Sequence, residues 1–549
     1  MSARPGTVQP IWTTGSTEVF KTGTWRAALP RHIEAPSPCH AACPVGGEIA
    51  EWIGLARAGD WRAAWDVLTR HNPFPAIAGR VCHHPCESVC NRGPVDGAVS
   101  ICQLERFAGD RALAESWAFA PPALERTGHV AIVGGGPAGL SAAFQLRRRG
   151  WRVSLYESRS TLGGLMRHGI PAYRLAREVL DAEIARIVAL GIELHLEHPL
   201  HQPAALDALR ASHDAVFVAT GAALPRHLPD LPADPRVLEG AAFLAAANAG
   251  TPPALGPRVV VIGGGSAALD AARSARRAGH AVTLVALEAR AQMPAQRDEV
   301  EEALEEGTML VDGAMLAQLD PLPGGLRLTL RRVCFEAATQ HRLARVEAIA
   351  GTDFVLAADA LIVSIGQDPD LAPFAGRLPA AGRRLAIAAD GATALPGVWA
   401  GGDLASDLRY VTEAVGMGRR AALAIHRTLL GEVAAVCATH EPVPLQAIAT
   451  WAHASAPRVA AARRSPQERL ASGGEVQLGL VPAQALAEAQ RCYSCGRCIQ
   501  CDLCVTWCPD LAVRHEGAGY TVDADYCKGC GLCVRECPTG SMLMEEETR

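Results

Sequence analysis

The chain of 549 residues is several times longer than one domain, so it can bury more than one core and is expected to fold as three or four units. Hydrophobic residues make up 49% and charged residues 20%, and a formal net charge of -5 gives no electrostatic reason to expect nucleic acid. No apolar leader opens the N-terminus and no run of about 18 apolar residues occurs, which points to a cytoplasmic, non-membrane protein; its eighteen cysteines then point to metal ligation rather than disulfides.

Residues 1–30 read as an extended arm. Residues 31–125 mix cysteine and proline clusters with helical patterns such as EIAEWIGLARAGDWRAAWDVLTRH, the mark of a small α-helical domain pinned by metal. Six cysteines fall here, from Cys39 to Cys102, and ten more between Cys492 and Cys537, with only Cys334 and Cys437 between the groups. Residues 126–430 alternate β-branched runs with Ala- and Arg-rich helical stretches, the pattern of an α/β body of parallel strands and crossover helices.

In that body Gly134, Gly136 and Gly139 form GxGxxG directly after the strand HVAIV and at the start of the helix AGLSAAFQLRRRG. The first glycine permits a tight turn, the second lets backbone approach a pyrophosphate, and the third packs helix on strand. Glu157 ends the next strand, where an acid should hold a ribose hydroxyl. A second fingerprint, Gly263, Gly265 and Ala268, follows RVVVI, with Glu288 at the end of AVTLVALE. Two such sites in register suggest FAD at one and a nicotinamide nucleotide at the other. An acid at the second strand end favours NAD(H) over NADP(H), although Arg290 nearby could instead meet a 2′-phosphate.

Residues 431–490 turn Ala-, Pro- and Glu-rich and read as a linker wrapped on the body. Residues 491–549 are too short and polar for much core without metal. Cys498, Cys501, Cys504 and Cys508 before Pro509 fit C-x2-C-x2-C-x3-C-P, and Cys527, Cys530, Cys533 and Cys537 before Pro538 fit it again. In such runs the fourth cysteine reaches the other cluster. One [4Fe-4S] cluster is therefore expected on Cys498, Cys501, Cys504 and Cys537, and the other on Cys527, Cys530, Cys533 and Cys508. Cys492 and Cys495 extend the first run upstream at the same spacing; a register shift, a spare redox thiol and a separate metal site are all open for them.

Several segments carry resemblances. LGGLMRHGIPAYRL with Gly164, and PGVWAGGDLAS with Gly402 and Asp403, resemble the glycine pair and GD motif of two-dinucleotide-binding flavoproteins, in which the acid holds the ribityl chain. This places FAD on the first site. DAVFVATG with Thr220 and Gly221, and ALIVSIG with Ser364 and Gly366, look like the crossovers that bracket an inserted nicotinamide domain. The expected plan is then FAD-binding segments at 126–255 and 367–430 around an NAD(P)-binding insert at 256–366, followed by an α+β ferredoxin-like domain at 491–549.

SPCHAACPVGGEIAEW, NPFPAIAGRVCHHPCESVCN and GGGSAALDAA followed by AQMPAQRDEVEEALEEG resemble the glutamate synthase small subunit family, itself similar to the N-terminal part of dihydropyrimidine dehydrogenase. The resemblance runs from about 31 to 430. It implies that Cys43, Cys82 and Cys86, with Glu105 near the family's non-cysteine ligand, match one cluster, and that Cys39 and Cys90 match another. Arg31 and Glu34 stand where the family's first two leader cysteines would be, so a single N-terminal cluster on four of Cys39, Cys43, Cys82, Cys86 and Cys90 is expected, with Cys102 a buried bystander. The family's NADPH-binding members carry an arginine pair where this chain has Leu287 and Glu288, which again favours NAD(H).

The implied activity is exchange of hydride between NAD(H) and FAD and of single electrons with clusters. The partner would be another subunit, such as a 2-oxoacid or aldehyde oxidoreductase, or ferredoxin. Hydride transfer needs no side-chain acid or base, so no catalytic residue is nominated. A glutamate synthase small subunit proper and a non-catalytic, cluster-bearing scaffold are the alternatives. A flavin disulfide reductase would need a cysteine pair beside the flavin, and 126–430 contains none.

Overall fold

The apolar runs of the body form two parallel sheets in the computed structural model, which describes residues 21–337, 345–432 and 440–547. In the first sheet the strands follow the order 398–400, 215–218, 129–133, 152–156 and 193–195. His129–Val133 sits in the middle and is apolar after its first residue because both of its faces are covered. The helix Pro137–Arg148 leaves this strand, and the long helix Val411–Leu430 lies across it. Their approach needs glycine, since a Cβ at Gly418 would overlap the Ala138 carbonyl oxygen.

The second sheet repeats the plan with strands 309–311, 281–285, 258–262, 360–363 and 237–239. An antiparallel excursion, 314–322, 325–336, 345–348 and 354–358, branches from it and packs Leu326, Leu328 and Leu330 on Val260, Ile262 and Leu361. Val237–Glu239 lies upstream of the boundary drawn at 255 yet pairs with Leu361–Val363, so that boundary cuts through the second sheet.

Ahead of the body stand seven short helices, from Pro38–Ala42 to Ile101–Ala114, around Trp52, Ile53, Trp61 and Leu104. Two further segments join them. Glu183, on the helix Arg177–Val188 of the body, accepts the N–H groups of Ala76 and Ile77 at 3.1 and 3.0 Å, which ties the body to the first turn of Pro75–Val81. The stretch read as linker forms the helices Pro466–Ala471 and Pro482–Gln490, and the second buries Ala485 and Ala489 in the N-terminal core.

The tail holds the hairpin 513–516/519–522 and the strand Met542–Glu546. That last strand pairs antiparallel with Ala28–His32, so the boundary at 30 falls inside a strand and the N-terminal arm is stitched to the far end of the chain. Arg26 fixes the junction by donating from Nε and Nη2 to the Glu547 carboxylate, both at 2.8 Å. Among the described residues no helix is long and apolar enough to cross a membrane.

Candidate cofactor and cluster sites

Strand, turn and helix shape the first nucleotide site. Gly134 adopts φ +108°, and a Cβ there would overlap the Ala219 carbonyl; one at Gly139 would overlap the Gly134 carbonyl. Gly136 precedes the helix Pro137–Arg148, whose first turn no side chain caps, and a Cβ on it would find only Gly164 Cα, 3.9 Å away. Unsatisfied N–H groups at a helix start, facing a cradle between two glycines, suit a pyrophosphate. Glu157 guards the mouth: its Oε2 accepts the Gly135 N–H at 2.8 Å, and its Oε1 accepts the Arg159 N–H at 2.9 Å.

Thr220 and Gly221 follow the strand Ala215–Val218 across the sheet, Thr220 exposed and Gly221 at φ +75°. Gly402 (φ +69°) packs 3.0 Å from Ala138 when given a Cβ, which sets Asp403 close to the same helix start. Desolvation pushes the Asp403 carboxyl up to about 6, against the pull of the Arg409 guanidinium. A carboxylate held there gains from hydroxyl donors, as a ribityl chain would supply.

The second site repeats the first. Gly263 (φ +144°) lies against the Ser364 carbonyl, Gly265 opens onto free space at the start of Ser266–Arg277, and Ala268 is fully buried between helix and sheet. The Glu288 carboxylate leans on Gly264 as Glu157 leans on Gly135. Arg290 is exposed, its backbone N–H held by Asp312 at 2.9 Å. The chain thus has two loops fit for adenine dinucleotides.

The thiols gather in four sets. Cys498, Cys501, Cys504 and Cys537 lie together in the tail, and the thiols of Cys498, Cys501 and Cys537 add to the upward push that burial exerts on Cys504. Cys527, Cys530 and Cys508 stand in the same relation to Cys533. Cys43, Cys82 and Cys86 form a third set beside Glu105, whose carboxyl burial pushes up to about 7 and which accepts the Asn72 amide at 2.7 Å. Cys102 is buried next to them, its Sγ 3.6 Å from the Ala78 carbonyl.

The fourth set departs from expectation. Cys39 and Cys90 share a cavity with Cys492 and Cys495, whereas Cys43, Cys82 and Cys86 gather beside Glu105. The physical reason is the docking of Pro482–Gln490, which delivers Cys492 to the N-terminal helices. Arg31, meanwhile, is committed to strand pairing opposite Leu543.

A second cavity, about 1080 Å³ of open space, lies between Cys43, His83, Tyr410, Thr412 and Arg420. Cys82 Sγ is 3.7 Å from Thr412 Oγ1 on the long helix of the first unit, and Gln296 of the second unit donates to the Cys82 carbonyl at 3.2 Å. The third thiol set therefore touches both nucleotide-binding units.

Comparisons with known proteins cover three parts of the chain. Residues 128–418 match the pyridine nucleotide-disulphide oxidoreductase family, 32–117 match dihydropyrimidine dehydrogenase domain II with its 4Fe-4S cluster, and 497–541 match the 4Fe-4S dicluster domain. The chain is 33% identical over 501 residues to the NADP(+)-dependent formate dehydrogenase subunit beta of Moorella thermoacetica, covering 84% of this chain and 70% of that protein. It is 33% identical over 455 residues to the glutamate synthase [NADPH] small chain of Mycobacterium tuberculosis (76% and 91%). It is 31% identical over 398 residues to the NAD-dependent dihydropyrimidine dehydrogenase subunit PreT of Escherichia coli O157:H7 (72% and 92%). Within 128–418 the sole cysteine is Cys334, so the pair that disulfide chemistry requires is missing from the body.

Proposed function

The chain belongs to the pyridine nucleotide-disulphide oxidoreductase family, in the branch of the glutamate synthase small chain, and from that premise we propose that it is the FAD- and iron–sulfur-bearing subunit of an NAD(P)H-dependent oxidoreductase. The contact between Cys82 and Thr412 carries this reading, because it sets a thiol cluster against the helix that follows the Gly402–Asp403 motif. FAD, when bound, supplies the conversion between two-electron hydride chemistry and one-electron cluster chemistry. The chain's own groups bind and orient. Gly134, Gly136, Gly139 and Gly164 admit the pyrophosphate of FAD, Glu157 receives a ribose hydroxyl, and Asp403 receives the ribityl chain.

Gly263, Gly265 and Ala268 do the same for the nicotinamide nucleotide. Glu288 at that strand end supports NAD(H), since its charge welcomes a 2′-hydroxyl and repels a 2′-phosphate. The N-terminal helices serve as an iron–sulfur domain and the tail as a ferredoxin-like one, with Cys498, Cys501, Cys504 and Cys537 on one cubane and Cys527, Cys530, Cys533 and Cys508 on the other. Cys501 and Cys530 are exposed, and we assign the tail's exposed cluster edges to the electron-exchanging partner, another subunit or ferredoxin. Seventeen free thiols among the described residues fit a reducing, cytoplasmic setting.

Anaerobic mixing with NADH or NADPH tests the proposal. Bleaching of a flavin band followed by loss of iron–sulfur absorbance is expected. Purified chain that holds no flavin, or whose flavin neither nucleotide reduces, would overturn it.

A further inference from the structure

Four thiols from three separate stretches wall one cavity, and two of them lie outside every region matched to an iron–sulfur domain. Cys39 stands on Pro38–Ala42, Cys90 follows Pro85–Ser88, and Cys492 and Cys495 come directly after Pro482–Gln490; with Ile49 and Ile53 they line one cavity. We propose that Cys39, Cys90, Cys492 and Cys495 hold a further [4Fe-4S] cluster that bridges the N-terminal helices and the tail. The proposal deepens the reading of the chain as an iron–sulfur electron carrier.

The local backbone is that of a ligand loop. Cys492-Tyr493-Ser494-Cys495 places Ser494 at φ +52° and points the Ser494 N–H at Cys492 Sγ, 3.4 Å away. Cys498-Ile499-Gln500-Cys501 in the tail does the same, with Gln500 at φ +55° and its N–H 3.4 Å from Cys498 Sγ. At Cys82 the arrangement recurs through His84, at φ +52° and 3.4 Å. A left-handed conformation is strained for a non-glycine residue, and here each one aims a donor at sulfur. Such donors stabilise thiolates on a cluster. Asn91 Nδ2 adds another, 3.5 Å from Cys495 Sγ, and Ser37 Oγ lies 3.1 Å from Cys39 Sγ.

Rival readings fit less well. A buried bystander thiol is common singly, but four converging from three segments, with N–H donors aimed at Cys492 and Cys495, are not bystanders. Among the described residues no group of three or more His, Cys, Asp or Glu comes close enough to hold a single ion. The thiols stand around a volume, as a cubane requires and one zinc ion does not.

Position gives the site its role. Cys39 and Cys43 are four residues apart, as are Cys86 and Cys90, so the bridging set and the set beside the flavin-side body lie within about 15 Å along each tether. Cys495 and Cys498 are three residues apart, which bounds the next step at about 11 Å. Each cluster takes one electron from its neighbour and passes one on, the pair coming from the nicotinamide nucleotide; no other bond forms or breaks.

Iron and acid-labile sulfide, counted in anaerobically purified and reconstituted full-length chain, test the assignment. About sixteen of each are expected, four per cubane. Cys492→Ser with Cys495→Ser should lose about four of each, Cys39→Ser with Cys90→Ser the same four, and the quadruple variant no more than either pair. Adding Cys498→Ser and Cys501→Ser should remove about four more. An unchanged count in the Cys492/Cys495 variant, additive loss in the quadruple variant, zinc in place of iron, or a wild-type count of about twelve would overturn it. The wild-type count needs no variant to fold and no hydride to move. Failure of NAD(P)H to reduce the flavin is a separate result that sinks the oxidoreductase reading and leaves the metal count standing.

Discussion

Arg491, the residue before Cys492, donates to the Asp96 carboxylate at 3.2 Å, and Asp96 also accepts from Nε and Nη2 of Arg92, two residues past Cys90, at 2.7 Å each. Both arginine side chains are 2% exposed, so one carboxylate clamps the tail to the loop that carries Cys90. Glu488 seconds it by accepting the Ser100 and Val459 N–H groups at 2.7 and 2.8 Å.

Asp96→Ala should therefore destabilise the chain by about 3 kcal/mol, the cost of leaving the buried Arg92 guanidinium uncompensated while Arg491 keeps its pair with Glu488 at 2.6 Å, read as a lower urea midpoint and faster amide exchange across 488–497. The Arg92 hydrogen bonds hold the Asp96 carboxyl well below its ordinary value of 3.8. A depressed acid contributes stability that is fully present above that ordinary value and is lost as pH falls through its folded value. Wild-type chain should lose this contribution below about pH 4, and Asp96→Asn should show a flatter acid limb. An equally steep limb in the variant would count against the clamp.

Asp403 gives a second pH signature with the opposite origin. Desolvation raises its carboxyl to about 6, so in the flavin-free chain it is increasingly protonated below that value and ionised above it. The charged form is the stronger acceptor, and a hydrogen bond to charge contributes about 1.5–3 kcal/mol. FAD affinity should fall as pH drops through about 6, and Asp403→Asn should bind FAD about tenfold or more weakly at pH 8 and with little pH dependence. Fluorescence titration of FAD into the apoprotein reads both effects.

These sites differ in how far the sequence revealed them. The tail quartets and the glycine turns are local patterns, in which a few residues of fixed spacing close on one ligand volume; reading them needs no knowledge of the rest of the chain. Cys492 and Cys495 have the same spacing, yet their partners are decided by Pro482–Gln490 docking on helices hundreds of residues away. The available signal was a spare C-x2-C after a short helix that carries Glu488 and Arg491, two charges that need buried partners. The helices of 466–471 and 482–490 are too short for a clear period, and Ala28–His32 contains Pro30, which suits an edge strand and hides it.

The role proposed for Glu288 is the choice between the two nicotinamide nucleotides. Its carboxylate already leans on Gly264, so an incoming 2′-phosphate would meet negative charge, whereas a 2′-hydroxyl would donate to it. In wild-type chain kcat/KM for NADH should exceed that for NADPH, and Glu288→Ala should narrow the ratio by about tenfold, mostly through KM for NADH. An unchanged ratio would remove Glu288 from the specificity site and leave Arg290 as the candidate.

The helices Pro75–Val81 and Ile101–Ala114 touch backbone to backbone, and this contact sets where Cys82 and Cys86 stand relative to Glu105. A Cβ at Gly109 would overlap the Ala76 backbone nitrogen and lie 2.6 Å from its Cα, and one at Gly79 would overlap the Arg106 backbone. Gly→Ala in a helix interior gains about 1 kcal/mol of propensity, while overpacking a filled contact costs about 1–3 kcal/mol. At Gly109 the obstacle is main chain, which cannot swing aside as a side chain can, so the cost should sit at the top of that range and win. Ala76 also donates its N–H to Glu183, so pushing it away strains the link to the α/β body. Gly109→Ala should lower Tm and loosen iron at the Cys43, Cys82 and Cys86 set. Gly54 lies in the helix Ile49–Arg57 with nothing near its Cβ position, and Gly54→Ala should raise Tm by the propensity gain alone. If both substitutions moved Tm in the same direction, close packing of these two helices would not be what positions the thiols.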